Sequence, residues 1–131
     1  MIDKIYINES MRIREEFLEN LLYITKEEEN INSLISDLET IKEQVDNADG
    51  KGEQYYRDQL FEINLMLTKA SDKITPFQEK KVELDKEQRN LYNSIKDKYT
   101  DITDEDMMKE LIPHIHDVDM KFKNKHGNIL K

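Results

Sequence analysis

Down the middle of this 131-residue chain, apolar side chains recur at alternating spacings of four and three. The series is Tyr56, Leu60, Ile63, Leu67, Ala70, Ile74 and Phe77, then Leu84, Leu91 and Ile95 beyond interruptions at Lys81 and Gln88. Such spacing lines one side of an α-helix, and that side leaves water only by facing a neighbouring helix. The phase is kept across Pro76, where a helix is otherwise expected to stop.

A matching stripe lies upstream at Phe17, Leu21, Ile24, Ile31, Ile35, Leu38 and Val45, interrupted by Glu28 and Lys42. Between the stripes, Asn47-Ala48-Asp49-Gly50-Lys51-Gly52 is the clearest breaker in the chain. Its glycines supply the positive φ angles of a tight reversal, and so short a link makes its flanking helices antiparallel neighbours. Folding about Asp49 sets Leu38 near Leu60, Ile35 near Ile63, Ile31 near Leu67, Ile24 near Ile74 and Leu21 near Phe77. Glu28 then falls beside the small Ala70. Heptad spacing is nearly self-similar, so a slip of one layer is compatible with the same pattern.

The expected fold is therefore all-α: a long antiparallel helical hairpin, coiled-coil-like and kinked near Pro76, plus a shorter C-terminal helix. In this reading residues 1–131 form a single helical domain. Residues 1–9 are an arm, with Asn8 or Ser10 as cap, because Ile5-Tyr6-Ile7 is short and β-prone. Helix one covers 10–46, the turn 47–52, and helix two 53–99 with a kink or split near 75–76. The C-terminal helix covers 104–126, capped by Thr103, bent near Pro113 and stopped by Gly127, with 127–131 as a tail. Its stripe is Met108, Leu111, Ile115, Val118 and Phe122.

Charged and hydrophobic residues each make up 37% of the chain, which suits thin solvated helices better than a thick globule. With no cysteine there is no disulfide framework or thiolate metal site. No apolar run approaches membrane-spanning length, and the N-terminal residues lack the apolar core of a secretory signal. The expected location is cytoplasmic, or the virion if the chain is phage-encoded. Abundant Ile, Lys and Asn with little Ala, Gly, Pro and Arg is the usage an A/T-rich coding sequence produces, as in bacteriophages, A/T-rich bacteria and some protists, and it speaks of the genome rather than of function.

Motifs for chemistry are not found. His114, His116, Asp117 and Asp119 are the most metal-like group, but on a helix the two histidines point about 200° apart. Carboxylate pairs such as Glu15 and Glu16 need a cleft to shift their pKa values, and a slender hairpin provides none. Gly50-Lys51-Gly52 follows no strand and has too few glycines for a phosphate loop. Tyr55, Tyr56, Tyr92 and Tyr99 sit in acidic or mixed surroundings that suit packing better than base stacking. No catalytic, cofactor or metal residue is assigned, and no small-molecule substrate is expected.

The apolar residues outside the seam carry the functional expectation. Leu18, Leu22, Leu34 and Ile41 lie beside the first stripe, and Phe61, Leu65 and Met66 lie off the second. Two helices alone leave these wet, so either the C-terminal helix or another chain must cover them. The expected function is a non-catalytic structural or adaptor subunit, with a phage structural or accessory protein as the concrete form and a protein partner or homo-oligomer as the ligand. One alternative is a small acidic regulator that occupies a basic site through the block from Asp101 to Asp119. Another is a nucleic-acid accessory protein using Lys121, Lys123, Lys125 and Lys131, although a net charge of −9 disfavours nucleic acid.

Overall fold

The computed structural model describes residues 2–47 and 52–127, and all its regular elements there are helices. Helix α1 spans Lys4–Asn47, α2 spans Glu53–Lys98 and α3 spans Asp104–His126. Helices α1 and α2 pack against each other as the arms of an antiparallel hairpin, and α3 is the shorter C-terminal helix. Neither proline divides its helix, since Pro76 lies inside α2 and Pro113 inside α3. Proline removes one backbone donor, but the carbonyl left over one turn earlier, that of Asp72, belongs to an exposed residue that water can serve.

Two compact units divide the chain. The first contains residues 1–22 and 79–131, and the second contains residues 23–78. In the first unit, three helical stretches surround one core of Ile2, Ile13, Leu84, Leu91, Ile95, Met107 and Leu111. A second cluster joins Leu18 to Val118 and Phe122, with Met11, Phe17 and Leu22 packed against it. Helix α3 thus covers one flank of the N-terminal part of α1. Arg14 and Asp119 fix the same contact through two hydrogen bonds of 2.7 and 3.2 Å, a paired geometry that favours charge pairing even at a half-exposed site.

The local signals of α3 operate as the sequence indicates. Thr103 adopts extended backbone, and its hydroxyl oxygen accepts from the Asp106 N–H at 3.1 Å. Asp104, Glu105 and Asp106 occupy the positive end of the helix dipole, and Lys123, Lys125 and His126 the negative end. Gly127 closes the helix at φ 79° and donates its N–H to the Lys123 carbonyl.

The N-terminus departs from the expected arm. Helix α1 begins at Lys4 rather than near residue 10, and Ser10 lies buried within it rather than capping it. Tertiary contacts outweigh the β preference of Ile5-Tyr6-Ile7. Ile2 is buried in the core, and Tyr6 and Ile7 pack against it. The Ile2 N–H donates to both Glu110 carboxylate oxygens at 3.2 Å, and the Asp3 N–H donates to the Tyr99 hydroxyl at 2.9 Å. Lys98 pairs with Asp3, and its ammonium lies 5.4 Å from the Tyr6 ring and 5.7 Å from the Tyr99 ring.

Among its described residues the second unit contains two helical stretches. Ile24, Ala70 and Ile74 are buried there, and the Tyr23 and Phe77 rings stack with centroids 5.1 Å apart. Leu60 and Val45 line one surface groove of this unit, and Ile63 and Ile41 line another. Leu34 and Ile41 are half-buried, whereas Ile35 is 41% exposed. The working stripe on α1 is Ile31, Leu34, Leu38, Ile41 and Val45, a strict alternation of three and four. Residues 48–51, the middle of the expected turn, and the end of the expected tail lie outside the described residues. Gly52 is described at φ 73°, the left-handed region that a glycine enters freely.

Two outcomes follow from this packing. Leu18, at 0% exposure, should lose about 2–5 kcal/mol of stability as Leu18→Ala in urea unfolding, whereas Phe61→Ala should stay within about 0.5 kcal/mol. The second outcome concerns pH. A hydrogen bond from Lys98 holds Asp3 below its ordinary 3.8, and the same bond holds Lys98 above its ordinary 10.5. The stabilisation from Asp3 is present above pH 3.8 and is lost as pH falls through its lowered value; that from Lys98 is present below pH 10.5 and is lost as pH rises through its raised value. The Tm difference between wild type and Asp3→Asn should therefore be flat from mildly acidic to mildly alkaline pH and close at both extremes.

Candidate interaction surface

The seven apolar residues singled out by the sequence separate into three groups. Leu18 is fully buried and presents no surface to another chain, and Leu22 is half-buried against the same cluster. Covering by α3, which sequence spacing left open, is the reason. Leu34 and Ile41 are half-buried members of the working α1 stripe. Phe61, Leu65 and Met66 are exposed by 66%, 47% and 52%.

Phe61 and Leu65 are four residues apart and so share one helical face. That face is turned away from the seam of Leu60, Ile63 and Leu67, because positions 61 and 65 fall on the far side of the helical wheel from them. Met66 lies on the flank nearer the seam. There it joins Ile41 and Ile63 in an open groove of about 270 Å³, with Asp37 from α1 and Glu62 from α2 among its lining residues.

A smaller cleft of about 170 Å³ lies in the first unit over Met11, Val118 and Phe122. Glu15 and Glu19 stand on its α1 side, and Lys121, Lys125 and His126 on its α3 side. The His126 ring lies 4.5 Å from the Phe122 ring. Carboxylates and ammonium groups facing each other across so shallow a space can neutralise one another and need no ligand.

Ion pairs on the surface of the first unit shift the pKa values of Asp3, Glu9, Arg12 and Lys98. Arg12 reaches Glu9, Glu16 and Glu87, and the hydrogen bond to Glu9 is the largest cause raising its pKa. The same bond lowers Glu9. These are exposed pairs of the kind that contribute about 0–1 kcal/mol each; those with Glu9 and Glu16 lie within α1. The Arg12–Glu87 contact, at 3.2 Å, joins α1 to α2.

The acidic block of α3 is largely engaged within the molecule. Asp104 pairs with Lys96, Glu105 with Lys109, and Asp119 with Arg14, while Glu110 accepts from the Ile2 N–H. His114 is half-buried and His116 exposed on the continuous helix. Among the described residues no group of three or more His, Cys, Asp or Glu could hold a metal ion. Lys121, Lys123 and Lys125 are exposed, and Lys131 lies outside the described residues. Of the tyrosines, Tyr99 and Tyr92 pack against the core, Tyr56 is half-buried, and the exposed Tyr55 accepts a hydrogen bond from Gln59 at 2.7 Å. Among the described residues, no helix is long and apolar enough to cross a membrane.

Exposed large apolar side chains occur on both units: Ile5, Val82, Ile112 and Met120 on the first, and Tyr23, Ile35, Tyr55, Phe61, Leu65 and Met66 on the second. No family model matches the chain, and no curated protein or solved structure matches it.

Proposed function

We propose that this chain is a non-catalytic helical subunit or adaptor that joins a larger protein assembly through its second unit. One observation carries the reading: no described side chain in residues 25–47 or 52–69 is buried. Two helices that long and that sparsely covered gain little from burial on their own. The exposed Phe61, Leu65 and Met66 add apolar surface that a partner would remove from water.

Alternative readings have less to support them. An acidic regulator would need the α3 carboxylates free, yet Asp104, Glu110 and Asp119 are engaged internally. A nucleic-acid role would rest on a few lysines at the end of α3 in a chain of net charge −9. Residue usage fits a phage structural or accessory protein, in the cytoplasm or the virion, as the concrete form of the proposal.

Affinity capture from the native source, with complex mass measured by light scattering, tests the reading. Wild-type protein should retain a partner or a defined oligomer, and Phe61→Ser/Leu65→Ser should lose it while keeping the same helical circular dichroism and urea midpoint. Charge reversal at Asp104, Glu105 and Asp106 should leave the association intact. A protein that stays monomeric at high concentration and retains nothing from its extract would overturn the proposal.

A further inference from the structure

The groove at Ile41, Ile63 and Met66 has a floor from both helices of the second unit and a carboxylate from each: Asp37 on α1 and Glu62 on α2. We propose that it seats a basic amphipathic helix of a partner protein; the inference rests on the adaptor reading above and names the chemistry of the partner. A helix laid along such a groove would place apolar side chains at i, i+3 or i+4 against Ile41, Ile63 and Met66. Lysine or arginine at its edges would cover the rim with their stems and deliver their charges to Asp37 and Glu62.

Charge selects this occupant over a second copy of the chain. Residues 23–78 hold twelve acidic side chains against six basic ones, a net of −6, and so carry two thirds of the net charge of −9. A second copy would set one acidic surface on another, and like-charge juxtaposition works against association. The first unit shows how this chain seats a helix on a helix. There Val118 and Phe122, four residues apart, cover Leu18, and Asp119 meets the opposite charge of Arg14 beside them. On the groove the resident charges are negative, so the incoming helix supplies the positive ones.

The probes are three synthetic fluorescent peptides of roughly 18 residues, long enough to form a helix on docking. Each carries leucine at helical spacing. One is flanked by lysine, one by glutamate, and the third is a scramble of the lysine peptide. Anisotropy titration of the full chain should show the lysine peptide binding at least about tenfold more tightly than either other peptide, a difference of about 1.4 kcal/mol. Met66→Lys should weaken it about tenfold. Asp37→Lys/Glu62→Lys should invert the preference, so that the glutamate peptide binds more tightly, a result that loss of folding cannot produce. Equal binding of the three peptides, or a lysine preference that survives the double reversal, overturns the proposal. Sedimentation showing a dimer that Met66→Lys dissociates also overturns it, since a second copy then fills the groove. If no peptide binds while Phe61→Ser/Leu65→Ser still releases a captured partner, the groove assignment fails and the adaptor reading stands.

Discussion

Two packed helices can hide only the strip of surface between them. Any apolar residue outside that strip stays wet until a third element arrives, and the first unit is organised around meeting this limit. Helix α3 brings Val118 and Phe122 onto Leu18, and Met107 and Leu111 into the core with Ile13, Leu84, Leu91 and Ile95. Without α3 those same α1 residues would resemble surplus surface. Once covered, they anchor the unit, and the polar contacts at Arg14, Glu110 and Thr103 position a helix whose docking apolar burial drives.

The second unit meets the same limit with fewer means. Its helical stretches bury Ile24, Ala70 and Ile74 and stack Tyr23 on Phe77. Beyond these the seam is half-exposed, and Glu27 occupies one of its places. The charge distribution follows the same division, because acidic residues outnumber basic ones two to one in this stretch. In the first unit Asp3, Glu9, Arg12 and Lys98 have pKa values shifted by surface ion pairs, and in the second the groove at Ile41, Ile63 and Met66 is open to water.

Where the sequence misleads, the causes are specific. Ile35 and Leu34 both sit at acceptable spacings from Leu38; the stripe through Ile35 keeps its alternation only by passing through Lys42, whereas Ile31, Leu34, Leu38, Ile41 and Val45 alternate with an apolar residue at every place. That error was avoidable from spacing alone. The N-terminal arm was not, since Ile5-Tyr6-Ile7 is β-prone locally and becomes helical through contacts of Ile2, Asp3 and Tyr6 with residues about a hundred positions away. Leu18 and Leu22 likewise could be told from Phe61 and Leu65 only by knowing where α3 lies.

Periodicity, the glycine-bearing break and the Thr103 and Gly127 caps were enough to determine three helices and the antiparallel sense of the first two, because these signals act within a few residues of one another. Which apolar flanks are covered, and which stay exposed, was decided by tertiary structure. Burial depends on what arrives from a distant part of the chain, and spacing within a helix carries no record of it.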